Sequence, residues 1–276
     1  MLDREASKTA LGVAFIRAAH QILDTPPLLF EDPVALPLLG KDAEAVIRSG
    51  LARHLSPYGR GLRSHVCLRS RFAEDQLAQV AADRYVVVGA GFDTFALRQP
   101  EWAKSVRILE IDHPATQALK RERIAKAGLA VPENLAFAAA DFTRETLADI
   151  LGREGIGAGE RVFFSWLGVT MYLPEAAIDA SLAAMAGVSE HASVCLTFKQ
   201  ADDGPGDAAM SVFVAALGEA FVSTFTPAAM AAKLTAYGFS TLSFLDPARA
   251  RAEYFTPPRG TLPAPRRSGI VWACKR

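Results

Sequence analysis

Tyr85-Val86-Val87-Val88-Gly89-Ala90-Gly91-Phe92-Asp93-Thr94 is the stretch on which the reading of this chain turns. Its first four residues form a mostly β-branched run without polar alternation, the pattern of a strand covered on both faces. Two glycines follow at once. Glycine permits a sharp turn and lets a ligand approach the backbone where a Cβ would collide. In open α/β sheets the carboxyl end of a strand is where nucleotide-like ligands sit. A tight strand-to-helix turn with no ligand fits the same residues, so the turn alone leaves both readings open.

Working outward, four more short apolar runs fit strands: Val106–Ile111, Leu135–Ala138, Arg161–Trp166 and Val194–Phe198. Helical spacing separates them over Ala115–Ala127, Arg144–Leu151 and Pro174–Val188. Strands alternating with helices predict a parallel sheet with helices on both faces. Upstream, residues 6–24 read as a helix ended by Pro26-Pro27, and Phe30-Glu31-Asp32-Pro33 as a turn opening a short one. Gly59 and Gly61, either side of Arg60, predict a loop before another helix over roughly 63–82. Downstream, the polar stretch Gln200–Asp207 reads as a loop and Ala208–Val222 as a small-residue helix. Thr226-Pro227 starts a helix stopped by Gly238. Phe239–Phe244 and Ile270–Ala273 then predict two last strands, paired antiparallel at a sheet edge. The chain reads as one domain over 1–276, with a helical cap (1–82), an α/β core (83–198), a helical lid insertion (199–237) and edge strands (238–276).

The polar residues at the strand ends narrow the ligand. A dinucleotide site asks for a third glycine at position 94, where it brings helix and strand together beneath a pyrophosphate. Thr94 stands there. Asp112 ends the second strand, 21 residues beyond Gly91, where a carboxylate can accept both hydroxyls of a ribose. His113 beside it would line the same end, while Glu110 should point elsewhere or sit deeper. Asp141-Phe142 follows the third strand, where an acid can meet an adenine amino group and a ring can pack on its face. A helix cap with a core phenylalanine would look the same. Together the three strand ends favour an adenosyl ligand.

Composition excludes other classes. Lys plus Arg equals Asp plus Glu at 30 each, so the global basic excess of a nucleic-acid binder is absent. Cys67, Cys195 and Cys274 are too sparse for a disulfide framework or a metal site, as expected of a reduced, cytoplasmic protein. A charged start without an apolar core predicts no signal peptide, and no run approaches the ~20 apolar residues of a membrane span.

In order, Ser7-Lys8-Thr9-Ala10, Asp32-Pro33, Arg69-Ser70-Arg71-Phe72, Val88-Gly89-Ala90-Gly91-Phe92-Asp93-Thr94, Glu110-Ile111-Asp112-His113-Pro114 and Gly168-Val169-Thr170-Met171-Tyr172-Leu173 resemble the leucine carboxyl methyltransferase family. The likeness is greatest to its bacterial, natural-product type O-methyltransferases. It runs over about 7–200, with an echo at Glu253-Tyr254-Phe255. The resemblance implies a class I methyltransferase (Rossmann-like) fold, with a mostly parallel seven-stranded sheet, and S-adenosylmethionine as cofactor. It places Lys8 and Arg71 against the cofactor's methionine carboxylate, with Arg69 close enough in sequence to be confused with Arg71. It also places Gly89, Ala90, Gly91, Asp112, His113, Asp141 and Phe142 around the rest. The family has a glutamate just before Gly-Val-x-x-Tyr, where this chain has Leu167.

The implied reaction is O-methylation of a carboxylate or hydroxyl on a small-molecule acceptor. Two alternatives stay open: a dinucleotide-dependent oxidoreductase, which Thr94 disfavours, and a non-catalytic relative that only binds a ligand. His20, His54, His65, His113 and His191 form no catalytic pair in sequence, so no general base is assigned. Tyr172 and Trp166 flank the fourth strand's end, Trp166 reading as core.

Overall fold

A computed structural model of the protein describes residues 7–201, 221–257 and 261–275. Seven strands form one sheet: β1 Arg84–Val88, β2 Arg107–Asp112, β3 Leu135–Ala139, β4 Val162–Trp166, β5 Ala192–Thr197, β6 Thr241–Phe244 and β7 Ile270–Cys274. Their order is β3-β2-β1-β4-β5-β7-β6. The first five run parallel, and β7 is antiparallel to both β5 and β6. Strand order reverses beside β1, the switch point at which open sheets part to admit a ligand.

The strands lack alternation because both faces are covered. Val86, Val88, Leu109, Ile111, Phe164 and Trp166 face one core, beneath helices α8 (Leu147–Arg153), α9 (Glu175–Val188) and α10 (Pro227–Ala236). Their neighbours Tyr85, Val87, Ile108 and Phe163 face another, packed on Leu68, Phe72 and Leu77 of α5 (Pro57–Val80). A third apolar cluster joins α1 (Lys8–Leu23), α2 (Ala35–Leu39) and α3 (Ala43–Ser49) to Phe92 and Ile124. The other α-helices among the described residues are α4 (Leu51–Leu55), α6 (Phe95–Arg98), α7 (Pro114–Lys126) and α11 (Pro247–Tyr254).

Three boundaries depart from the sequence expectation. The loop expected around Gly59 and Gly61 is helix: Ser56 accepts from the Gly59 amide and Pro57 follows in the first turn, so α5 starts there. Gly59 is needed for packing rather than bending, since a Cβ would lie 2.1 Å from the Arg53 carbonyl oxygen. The helix after β3 begins at Leu147 rather than Arg144, set by a reciprocal Thr146/Asp149 capping box. Between the last two strands α11 is an unexpected helix, started by Asp246 and Pro247. The helix expected over Ala208–Val222 lies outside the described residues except for Phe221 and Val222, which are not helical. No described helix is long and apolar enough to cross a membrane.

Candidate active site

The carboxyl ends of β1, β2 and β4, roofed by α1 and flanked by α5, enclose a cavity of about 210 Å³. Gly89, Ala90, Gly91, Asp112 and Leu167, all singled out in the sequence, line it. Gly89 and Gly91 have φ of +71° and +51°, left-handed values that strain any residue with a Cβ. Space is short as well. A Cβ on Gly89 would stand 2.5 Å from Val169 Cγ2, and one on Gly91 3.2 Å from the Ala10 Cβ of α1. The amides of Gly89 and Ala90 both donate to the Ile111 carbonyl, at 2.9 and 3.0 Å, fixing the turn to β2. Asp112 accepts from the Gly91 amide and, at 2.6 Å, from the His113 amide. Burial raises its pKa and these hydrogen bonds oppose the rise.

A buried ionic hub ties the turn to the cap. Asp32, fully buried, accepts from Thr94 Oγ1 at 2.6 Å and the Ala35 amide at 3.0 Å, and pairs with Arg17 at 2.7 Å. Arg17 also donates to the carbonyl of Phe92, one residue past the glycine turn. Arg98 lies 3.5 Å from Asp32 and pairs with Glu74. Thr94, where a dinucleotide fingerprint has its third glycine, is thus committed to holding Asp32. A second buried pair joins α1 to α5: Arg63 donates to both oxygens of Asp24, at 2.8 and 2.9 Å, and to the His54 carbonyl. His20 bonds Asp24 through Nδ1 at 2.9 Å and accepts the Phe30 amide at Nε2, so it is structural.

The two arginines of Arg69-Ser70-Arg71 part company. Arg69 lines the cavity with its guanidinium against Gly168, where a Cβ would sit 2.7 Å from Nη1. It pairs with no carboxylate among the described residues, and burial pulls its pKa down to about 10. Arg71 is two residues on, ~200° around a 3.6-residue turn. It points away, 45% exposed, pairs with Asp75 at 2.9 Å, and borders a separate groove with Arg249, Tyr254 and Trp272.

Lys8, exposed on the first turn of α1, and His113, Asp141 and Phe142 do not line the cavity either. Lys8 stands between two lining residues, Ser7 and Thr9. His113 caps α7, its Nδ1 accepting from the Ala115 amide at 3.3 Å. Asp141 accepts from the amide and hydroxyl of Thr143, at 2.9 and 2.6 Å, and Phe142 is exposed. Glu110 is buried and paired with Lys120. Trp166 is fully buried core, whereas Tyr172 lines the cavity. Sequence reasoning missed Arg17 and Asp93 as cavity residues. Asp93 stood within the decisive stretch, and Arg17 lies seven, four and three residues after Ala10, Val13 and Ala14, which also line it, on the same helical face.

A sheet of this order, with a glycine turn after β1 and an acid ending β2, defines the class I methyltransferase fold. A "putative methyltransferase" of Thermobifida fusca YX shares the fold, with 14% identity, TM-score 0.58, and coverage of 100% of this chain and 96% of the other. So does a DUF574 family protein from Streptomyces avermitilis MA-4680 (15%, TM-score 0.58, 100% and 99%). The family model of leucine carboxyl methyltransferase matches residues 10–186. The chain belongs to that family. A Bacillus subtilis (strain 168) protein, "Putative S-adenosyl-L-methionine-dependent methyltransferase YktD", is 33% identical over 63% of this chain and 64% of its own length. A Parafrankia sp. relative of like name is 29% identical over 60% of this chain and 54% of its own length. The matched regions thus span less than two thirds of these relatives.

Proposed function

We propose that this protein uses S-adenosylmethionine to O-methylate a carboxylate or hydroxyl of a small-molecule acceptor. One observation carries the reading: the Gly89–Gly91 turn, the Asp112 carboxylate and the carboxylate-free Arg69 guanidinium open on one cavity at the switch point of the sheet. These groups fit the cofactor. The turn leaves room that a Cβ would fill, Asp112 presents acceptors for a ribose, and Arg69 offers a cation to the methionine carboxylate. The reading moves that last role from Arg71 to Arg69. Lys8 is assigned to the mouth of the same end, and His113, Asp141 and Phe142 to the adenine end beside Asp112. Leu167 gives the cavity an apolar surface where the family has a glutamate.

When bound, the cofactor's sulfonium supplies an electrophilic methyl group. The chain's own work is then to align the acceptor and exclude water. A carboxylate acceptor is already an anion, whereas a phenol or alcohol gains from a base. Tyr172 stands beside Arg69 at the cavity wall and is the polar side chain best placed to orient an acceptor.

Calorimetric titration with S-adenosylmethionine, S-adenosylhomocysteine and NAD tests the cofactor. Both sulfur ligands should bind and NAD should not; the reverse would sink the reading. Methyl transfer to a panel of carboxylic acids and phenols, followed by mass spectrometry, tests the reaction. Cofactor binding with no transfer to any acceptor would favour a non-catalytic relative.

A further inference from the structure

Asp93 and Asp112 are the two carboxylates lining the cavity among the described residues. Asp112 is engaged by two backbone amides. Asp93 is not. Its Oδ1 accepts from the Phe95 amide at 2.8 Å, and its second oxygen receives no hydrogen bond from a described residue. Asp93 is close enough to Arg69 and to Arg98 for its charge to reach both guanidiniums, yet it forms an ion pair with neither. Both are hemmed in by protein and still partly exposed, because both face the cavity. Arg69 and Asp93 thus face one cavity with no direct ion pair to a described residue, an arrangement that a ligand carrying both charges would complete. An α-amino acid head has the two charges needed, a carboxylate and an ammonium on one carbon. The residue at the family's glutamate position, Leu167, has a side chain with no charge and no acceptor.

Building on the cofactor reading above, we infer that Asp93 receives the α-ammonium of the cofactor's amino-acid head. Arg69 and Asp93 then form a receptor for a zwitterion, and Asp93 supplies the negative charge that Leu167 does not. The site selects cofactors that carry an intact amino acid. No bond is made or broken at Asp93, so its part is in binding.

Asp93→Asn keeps the oxygen that caps Phe95 and removes the charge. Calorimetry is run on wild type and variant with S-adenosylhomocysteine and with 5′-methylthioadenosine, which lacks the amino-acid head. A charged hydrogen bond lost at this site predicts ~10–100-fold weaker S-adenosylhomocysteine binding by the variant, with 5′-methylthioadenosine changed less than about twofold. Equal weakening of both ligands, or of neither, overturns the inference while leaving the cofactor reading intact. Failure of wild type to bind S-adenosylhomocysteine overturns both. A second measurement does not depend on the variant folding. The analogue of S-adenosylhomocysteine whose α-amine is replaced by hydrogen should bind wild type at least about tenfold more weakly. Equal affinity for the two would also overturn the inference.

Discussion

The wall of the cavity supplied by the strands and the wall supplied by α1 and α5 hold their polar groups by different means. On the strand side the groups are backbone amides and two short carboxylates, Asp93 and Asp112, set by sheet register and by glycines at φ of +71° and +51°. On the helix side they are long cationic side chains whose direction depends on rotation about a helix and on buried partners, such as Asp32 for Arg17. The first wall is rigid because its geometry is local. The second depends on contacts between residues far apart in sequence, Asp24 with Arg63 and Asp32 with Thr94. A change in the cap should therefore act at a distance, whereas a change in the turn should act where it is made.

The largest expected effect breaks the helix wall. Arg63→Ala takes the bidentate guanidinium from the buried Asp24, leaving it only His20 and Thr261, and should cost roughly 3–5 kcal/mol in denaturant unfolding. Next, Gly89→Ala strikes the strand wall, forcing a Cβ into Val169 at a left-handed φ. It should cost about 1–3 kcal/mol of stability and abolish calorimetric binding of S-adenosylhomocysteine. Arg69→Ala and Arg71→Ala sharpen the comparison within one helix. Removing the cavity arginine should weaken that ligand ~10–100-fold, and removing the exposed one by less than about twofold. Equal effects would mean that α5 is turned differently from the arrangement described.

Acid supplies the smallest and most graded effect. Burial pushes the Asp24 carboxyl up, but hydrogen bonds from His20, Arg63 and Thr261 outweigh it and hold its pKa well below the usual carboxylate range. A depressed folded pKa contributes stability that is complete above the unfolded value of ~3.9 and is lost as pH falls below it. Unfolding followed from pH 7 to pH 3 should lose this contribution only below about pH 4–5 in wild type. Asp24→Asn, starting from a lower stability, should show a shallower acid slope.

The strand wall was legible in the sequence because its signals are local. Short apolar runs placed the first five strands to within two residues at each end, and Gly89, Gly91 and Asp112 lie at the cavity. The helix wall was less so. Gly59 and Gly61 read as a loop because a helix-breaking propensity of ~1 kcal/mol per glycine is visible in sequence. The packing of α4 against α5 that requires Gly59 is not. Arg69 and Arg71 differ by a rotation that no local pattern encodes, since buried polar residues such as Arg63, Ser64 and Gln76 leave α5 without a clean polar stripe. The partnership of Thr94 with Asp32 spans 62 residues and needs the fold to be seen. What the sequence did offer there was negative: Thr94 was not the glycine of a dinucleotide turn.

A crystal structure of the protein with S-adenosylhomocysteine tests the central claim most directly. The ligand carboxylate should lie on Arg69 and its ribose hydroxyls on Asp112. A carboxylate held by Arg71, or a ligand bound elsewhere while Asp112 stays closed on the Gly91 amide, would contradict it.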